Sequence, residues 1–459
     1  MEQKLVEIVH FCREKAKELR ATDPNDIPMR TRMAHFAHIQ DRSGETYVQV
    51  GMDARLRIQE WCFEYLKRRG WTHLISVSHC AERIEEAIAF RFFKTCRPVD
   101  TGTISKMVNG LDKSIQNDVR PHRYLWPCHI CYGDSPSEFL IGTVRFRPTI
   151  NCRDEIDTAI ASWGSELDKS FRTRIEEHYS SFGWIADVTV ETSDKAAAKR
   201  MSLLAVQIAL TAIKLLLSHG GTESRIRMSE QQNYLLERAE LHFIRDEPHL
   251  TWHQTAGQAP FAKSWWEDLN RGDNAERLRA LDRVVRAVIQ PTEQTFLKLK
   301  YLNALRWFND ASIDTHAASR ITKFVTVLET LTGCNERDDL AEAVGERVAY
   351  FLGGWPEEGM PEEVKAKVKR IYAVRSELVH GVRDPIDLEL GRIATSVAHL
   401  AHMTLVAFLD LLIFIGIDRN DYDHAKLRRD FAVIKNNDQR MRAAGAVCRP
   451  PTNGGFRLS

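Results

Sequence analysis

The chain has 459 residues, of which 43% are hydrophobic and 28% charged; that length predicts two or three domains, and that balance excludes wholesale disorder. Sixty-four Lys and Arg against 63 Asp and Glu leave a net charge of +1, so no global field steers the chain onto nucleic acid or an acidic membrane, and any basic surface must be local. Nine cysteines at low density speak against a secreted disulfide framework and for a reducing compartment.

The first residues, Met1 to Leu19, carry charges throughout and lack the apolar core of a signal peptide. Their stripe of Val6, Ile8, Val9, Phe11, Ala16 and Leu19 predicts a helix, and Asp53 to Arg69 predicts a second one ending at Gly70. Pro98 to Gly102 breaks the pattern. From Arg123 to Thr149 the chain becomes strand-like, with two β-branched and aromatic runs joined by the turn chemistry of Gly133 to Ser137. A long helix is expected over Asp154 to Tyr179, a strand over Trp184 to Glu191, and an apolar helix over Leu203 to Leu217 that stops at His219-Gly220-Gly221. Short strands are expected between Glu223 and His253.

Beyond Trp265 the strand signal disappears. Helices are predicted over Ala275–Ile289, Glu293–Asn309, Ser319–Thr332, Leu340–Leu352, Glu362–Val379 and Leu388–Ile415. Short connections between long helices imply antiparallel neighbours and a bundle. The fold class is therefore an α+β N-terminal region followed by an all-α bundle: residues 1–265, 266–430 and a C-terminal tail, 431–459, whose last residues from Pro450 fray. Leu203–Leu217 carries Gln207 and Lys214, and Leu400–Ile417 carries His402 and Asp410. Such residues are costly in lipid, so both segments read as core helices of a cytoplasmic protein without a membrane partner.

The residues richest in chemistry end one helix: Arg370-Ile-Tyr-Ala-Val-Arg375-Ser376-Glu377-Leu378-Val379-His380-Gly381. Val364, Val368, Ile371, Arg375 and Leu378 follow steps of four and three, which sets a guanidinium on the apolar stripe. His380 precedes Gly381, a natural residue to close a helix, and the helix carbonyls there favour an imidazolium. Arginine grips a phosphate through parallel hydrogen bonds, and histidine moves protons near neutral pH. Without a metal, the nucleophile is the neighbouring ribose 2′-hydroxyl, which restricts the substrate to RNA. Positions five apart on a helix diverge by about 140°. Either His380 has left helical geometry, or two copies of the helix share the site; the second is the expectation.

Arg375-x4-His380 fits the R-x4–6-H motif of the HEPN superfamily, and its context resembles the Apea-like branch. The matching segments are Leu302–Ala311 (LNALRWFNDA), Ile321–Gly333 (ITKFVTVLETLTG), Leu340–Gly353 (LAEAVGERVAYFLG) and Ile371–Gly381 (IYAVRSELVHG). They fall within under a fifth of the chain. The resemblance implies a bundle that dimerises through its motif helices, metal-independent endoribonuclease activity with no cofactor, and a place in prokaryotic antiviral defence (abortive infection) under an unknown phage or cellular trigger. Arg375 and His380 are then the catalytic pair. Ser376 departs from the Asn, Asp or His common in active relatives, and Val382 from the tyrosine of HEPN toxins silenced by nucleotidylation.

Ser376, Arg370 and Lys369 are the expected substrate-binding residues, within a basic neighbourhood that also holds Lys365, Lys367 and Arg383. Glu329 and Arg347 are expected to support Arg375; the competing structural reading pairs the arginine with Glu329 or Glu346. The expected partners are RNA and a second copy, or more, of the chain. Two other classes stand beside the nuclease. One is a HEPN-like module that dimerises or binds RNA or a nucleotide without cutting. The other is a zinc enzyme centred on Cys128 and Cys131, although no second C-x2-C accompanies the pair. Walker A, Rossmann, zinc-protease and Gly-x-Ser-x-Gly motifs are absent.

Overall fold

A computed structural model describes residues 1–21, 37–132, 136–162, 169–217, 225–231, 237–244, 247–254, 259–260, 264–334, 339–352 and 361–443. The chain divides into two compact units, one built from residues 1–123 and 189–202, the other from 124–188 and 203–459. Among the described residues the elements change from mixed to helical after residue 260, but the units do not divide there. The sheet of residues 124–188 groups with the helices that follow it.

The first unit contains α1 (Glu2–Ala21), the hairpin β1 (His38–Gln40) and β2 (Tyr47–Gln49), α2 (Met52–Arg69), α3 (Val77–Ile88) and α4 (Thr101–Asp118). Leu5, Ile8, Val9, Cys12 and Ala16 recur every three or four residues and bury one stripe of α1 beside Ile58, Trp61 and Cys62 of α2 and Ile84 and Ile88 of α3. Gly70 closes α2 at a φ of 70°, a conformation that favours glycine. Ser76 caps α3 through the His79 amide, and Asp194 in turn accepts from the Ser76 amide at 2.5 Å. Asp100 caps α4 through the Thr103 amide at 2.7 Å. Between α3 and α4 the chain widens into a six-residue i→i+5 turn, Ala89–Lys94, with Thr95 N–H donating to the Phe90 carbonyl.

The second unit opens on the sheet. The strands here are β3 (Arg120–His129), β4 (Cys131–Tyr132), β5 (Phe139–Ile141), β6 (Val144–Pro148), β7 (Trp184–Ser193) and β8 (Arg227–Met228), with α5 (Arg153–Ser162), α6 (Lys169–Ser180) and α7 (Lys195–Leu217) in the connections; the start of β3, the end of β7 and the start of α7 belong to the first unit. Five strands run in the order β5-β6-β7-β3-β8. β7 therefore lies between the two runs that the sequence joins by Gly133–Ser137. β9 (Glu237–Ile244) and β10 (Glu247–Gln254) form an antiparallel hairpin, and β11 (Ala259–Pro260) pairs in parallel with β4. Residues 163–168 of the expected long helix, 133–135 of the expected turn and the expected stop at 219–221 lie outside the described residues.

The helical part follows as α8 (Trp265–Leu269), α9 (Gly272–Ile289), α10 (Phe296–Ser312), α11 (Ala317–Thr332), α12 (Leu340–Leu352), α13 (Pro361–Val379), α14 (Glu389–Ile415) and α15 (His424–Ala443). α10 packs on α11, α12 on α13, and α14 along α11. Tyr301, Phe324, Leu328, Val348, Val368 and Phe408 lie in the buried core. Arg277 of α9 clasps Asp410 of α14 by two bonds of 2.7 Å. Lys214 is fully buried and donates to Asn309 at 2.8 Å, and a ring nitrogen of His402 meets the Leu215 carbonyl at 2.7 Å. Lys214, His402 and Asp410, inside the apolar helices Lys195–Leu217 and Glu389–Ile415, thus have partners within the second unit. By length and composition either helix could cross a membrane, and most of each apolar window is buried inside the fold.

One boundary differs from the sequence reading. The expected tail at 431 begins inside α15, because Phe431 is buried against Phe351 and Phe408 and the Tyr422 hydroxyl donates to buried Asp430 at 2.7 Å. Residues 444–459 lie outside the described ones.

Candidate active site

α13 begins with Glu362 and Glu363 at its N-terminal end, where carboxylates are favourable. Its stripe of Val364, Val368 and Ile371 is buried; Arg375 and Leu378, the next steps, are half-buried. The apolar face of the helix therefore reaches the surface at Arg375. The end of the helix is closed by two bonds, from the Val382 amide to the Glu377 carbonyl at 2.8 Å and from the Gly381 amide to the Leu378 carbonyl at 3.3 Å. This double bond pattern needs a left-handed residue, and Gly381 supplies it at a φ of 69°. His380 is the last residue before that turn, exposed to solvent beside the terminal carbonyls.

The His380 amide still donates to the Ser376 carbonyl, at 3.0 Å. That is an α-helical bond, so the His380 backbone nitrogen still follows the helix that carries Arg375, one residue past its end at Val379. Of the two arrangements open from the sequence, this bond speaks against a departure of His380 from the helix.

The Arg375 side chain makes no hydrogen bond or ion pair among the described residues, and its buried Nε lacks a hydrogen-bond partner there. Glu329 of α11 is the charge that acts on it. Burial pushes the Glu329 carboxyl above its usual value, while the Arg375 charge and the Tyr372 hydroxyl pull it back down. Arg347 donates to the Thr332 carbonyl at 2.5 Å and lies 5.1 Å from the Phe431 ring centroid. It thereby anchors the end of the helix that bears Glu329. Glu346 is held by Lys435 and by the Tyr350 hydroxyl at 3.5 Å, so it is not the partner of Arg375.

Structure thins the basic neighbourhood. Glu342 of α12 takes both Lys365 and Lys369, which raises the Lys369 pKa. Arg383 is clasped by Asp387 at 2.8 Å, Glu389 at 3.1 Å and Glu377 at 3.6 Å. Arg370 and Ser376 are exposed, and Arg370 has no ion pair among the described residues.

One feature escapes the sequence reading. Val379, Val382, Ile386 and Leu388 flank His380, and they are 54%, 77%, 81% and 97% exposed. Four exposed apolar side chains thus fall within ten residues of sequence. The signal for them is legible in GVRDPIDLELG, where apolar residues recur through a Pro-containing turn.

Cys128 and Cys131 are buried in or beside the sheet, and burial raises both thiols well above their usual value. Among the described residues no three His, Cys, Asp or Glu side chains converge as a metal site. No family model, curated protein or solved structure matches the chain.

Proposed function

We propose that the chain is a metal-independent endoribonuclease of HEPN type, with its active site shared between two copies of α13. The observation that carries this reading is the His380 amide bond to Ser376. It keeps Arg375 and His380 about 140° apart on one helix, so a single helix does not aim both at one phosphate. A second copy seated on Val379, Val382, Ile386 and Leu388 would cover an apolar surface and bring a second α13 beside the first. Arg375 supports the chemistry as a cation without a carboxylate locked onto it, and His380 as an exposed proton carrier.

In the reaction, the ribose 2′-hydroxyl attacks the adjacent phosphorus, and the bond to the 5′-oxygen breaks. His380 transfers the proton, while Arg375 stabilises the charge that builds on the non-bridging oxygens. In this reading exposed Arg370 holds a neighbouring phosphate, and exposed Ser376 makes a weaker contact. Lys369 contributes only when RNA competes with Glu342 for its ammonium. The setting is a reducing cytoplasm, and growth arrest in antiviral defence is the role that the family resemblance implies.

The test is cleavage of a mixed RNA by the purified full chain in EDTA, with the ends mapped. This reading expects 2′,3′-cyclic phosphate and 5′-hydroxyl ends, and a loss of at least about 100-fold in Arg375→Ala and in His380→Ala with the fold intact. Cleavage abolished by chelation, or 3′-hydroxyl products, would overturn it. RNA binding without any cleavage would instead favour the non-catalytic module.

A further inference from the structure

The first unit holds a pocket of about 560 Å³ between the segment after β1, the wide turn 89–94 and α4. Its volume falls in the range of small-molecule sites. Four basic and two acidic residues line it, and their pairing is uneven. Asp41 binds Lys94 at 3.0 Å; its carboxyl is held down to about 2 by the Thr46 amide, with Lys94 and Ser43 adding to the effect. Glu86 binds Arg83 at 2.9 Å. Arg42 and Arg91 make no ion pair or side-chain hydrogen bond among the described residues. The acids of the pocket are therefore matched, and two guanidiniums are left over.

An aromatic ring sits beside them. Phe90 is 49% exposed and lines the same pocket, with the Lys94 ammonium 5.9 Å from its centroid. Phe90, Arg91 and Lys94 all lie on the i→i+5 turn, a widened helical geometry that recurs at functional sites. Across the pocket α4 presents Gly110, and a Cβ built there meets only the Arg91 Nη2, at 3.8 Å. A bare anion would use the arginines and leave the ring idle. A neutral ring would leave two cations unmatched.

We propose that this pocket binds a nucleotide, the base stacked on Phe90 and the phosphates held by Arg91 and Arg42. Guanidiniums match phosphate oxygens through paired donors, and a phenyl face accepts any base. The site is independent of α13 and does not rest on the nuclease reading.

The experiment is calorimetric titration of the full chain with ATP, GTP, CTP and UTP, and with adenosine and inorganic tripolyphosphate as part-ligands. At least one nucleotide saturates one site per chain, and each part-ligand binds at least tenfold more weakly. Arg91→Ala and Phe90→Ala each weaken that nucleotide at least tenfold. Gly110→Leu, which a helix accepts readily, blocks it by filling the pocket, so the test survives if one pocket variant misfolds. Arg375→Ala separates this site from α13, since nucleotide binding persists in it. The proposal is overturned if no nucleotide binds, if tripolyphosphate binds as tightly as every nucleotide, or if the folded pocket variants bind like the native chain.

Discussion

Arg375 and His380 stand about 140° apart around one helix axis, because the His380 amide keeps its α-helical bond to the Ser376 carbonyl at 3.0 Å. The turn at Gly381 ends the helix immediately afterwards and leaves the imidazole exposed. The proposed shared site therefore takes Arg375 from one copy and His380 from the other.

Gly381 closes the helix immediately after His380. A Cβ at this position meets no atom within 4 Å, yet the φ of 69° is unfavourable for most side chains. Gly381→Ala therefore costs about 1 kcal/mol of backbone strain and loses more activity than that figure predicts, because the cap that positions His380 loosens. Gly381→Asn, which tolerates the left-handed region better, retains more of both. Urea unfolding and RNA cleavage measured on the same preparations check the pair.

The proposed dimer seats on the apolar run after His380. Ile386 and Leu388 are almost fully exposed, so replacing both with Asp changes the stability of the isolated chain by no more than about 0.5 kcal/mol each. In solution the variant is a monomer by light scattering where the native chain is a dimer, and its RNA cleavage falls with the dimer. A dimer that persists in the double variant assigns the apolar run another role.

His129 makes stability depend on pH. It is 2% exposed, stacked 4.6 Å from the Phe182 ring and paired across the ladder with Arg227; neither ring nitrogen has a hydrogen-bond partner among the described residues. Burial, with the Arg227 charge adding to it, lowers its pKa to about 4. Unfolded, the imidazole takes its proton near 6.5. Between those values the unfolded chain binds the extra proton, so stability falls as pH drops from 6.5 to 4, by at most about 3 kcal/mol. His129→Phe flattens that part of the profile. An unchanged slope in urea unfolding at pH 7, 6 and 5 would contradict the assignment.

How legible all this was depends on the range of the forces. Leu340–Leu352 is found at its predicted ends, and α13 differs by one residue, because Val344, Val348, Val364, Val368 and Ile371 repeat at helical spacing and Gly381 stops the helix. Sheet order was not legible, since the insertion of β7 between β6 and β3 is a pairing between distant segments. The part of α15 from Phe431 onward falls in the expected tail because its buried Phe431 stands in a charged stretch, and partners far away in sequence stabilise it. Ala89–Lys94 looks like ordinary helix in sequence, so the wide turn gave no warning. The candidate pair was visible as a motif, whereas the capture of Lys369 by Glu342 depends on how α12 meets α13.

Complementation between two inactive chains tests the shared site most directly. Arg375→Ala and His380→Ala chains are co-expressed with different tags, and the mixed dimers are confirmed by mass spectrometry. A mixed dimer keeps one site intact, with Arg375 from one copy and His380 from the other, so random pairing restores about a quarter of the native number of sites. RNA cleavage near that level is the predicted result. Mixed dimers no more active than either variant alone would contradict it.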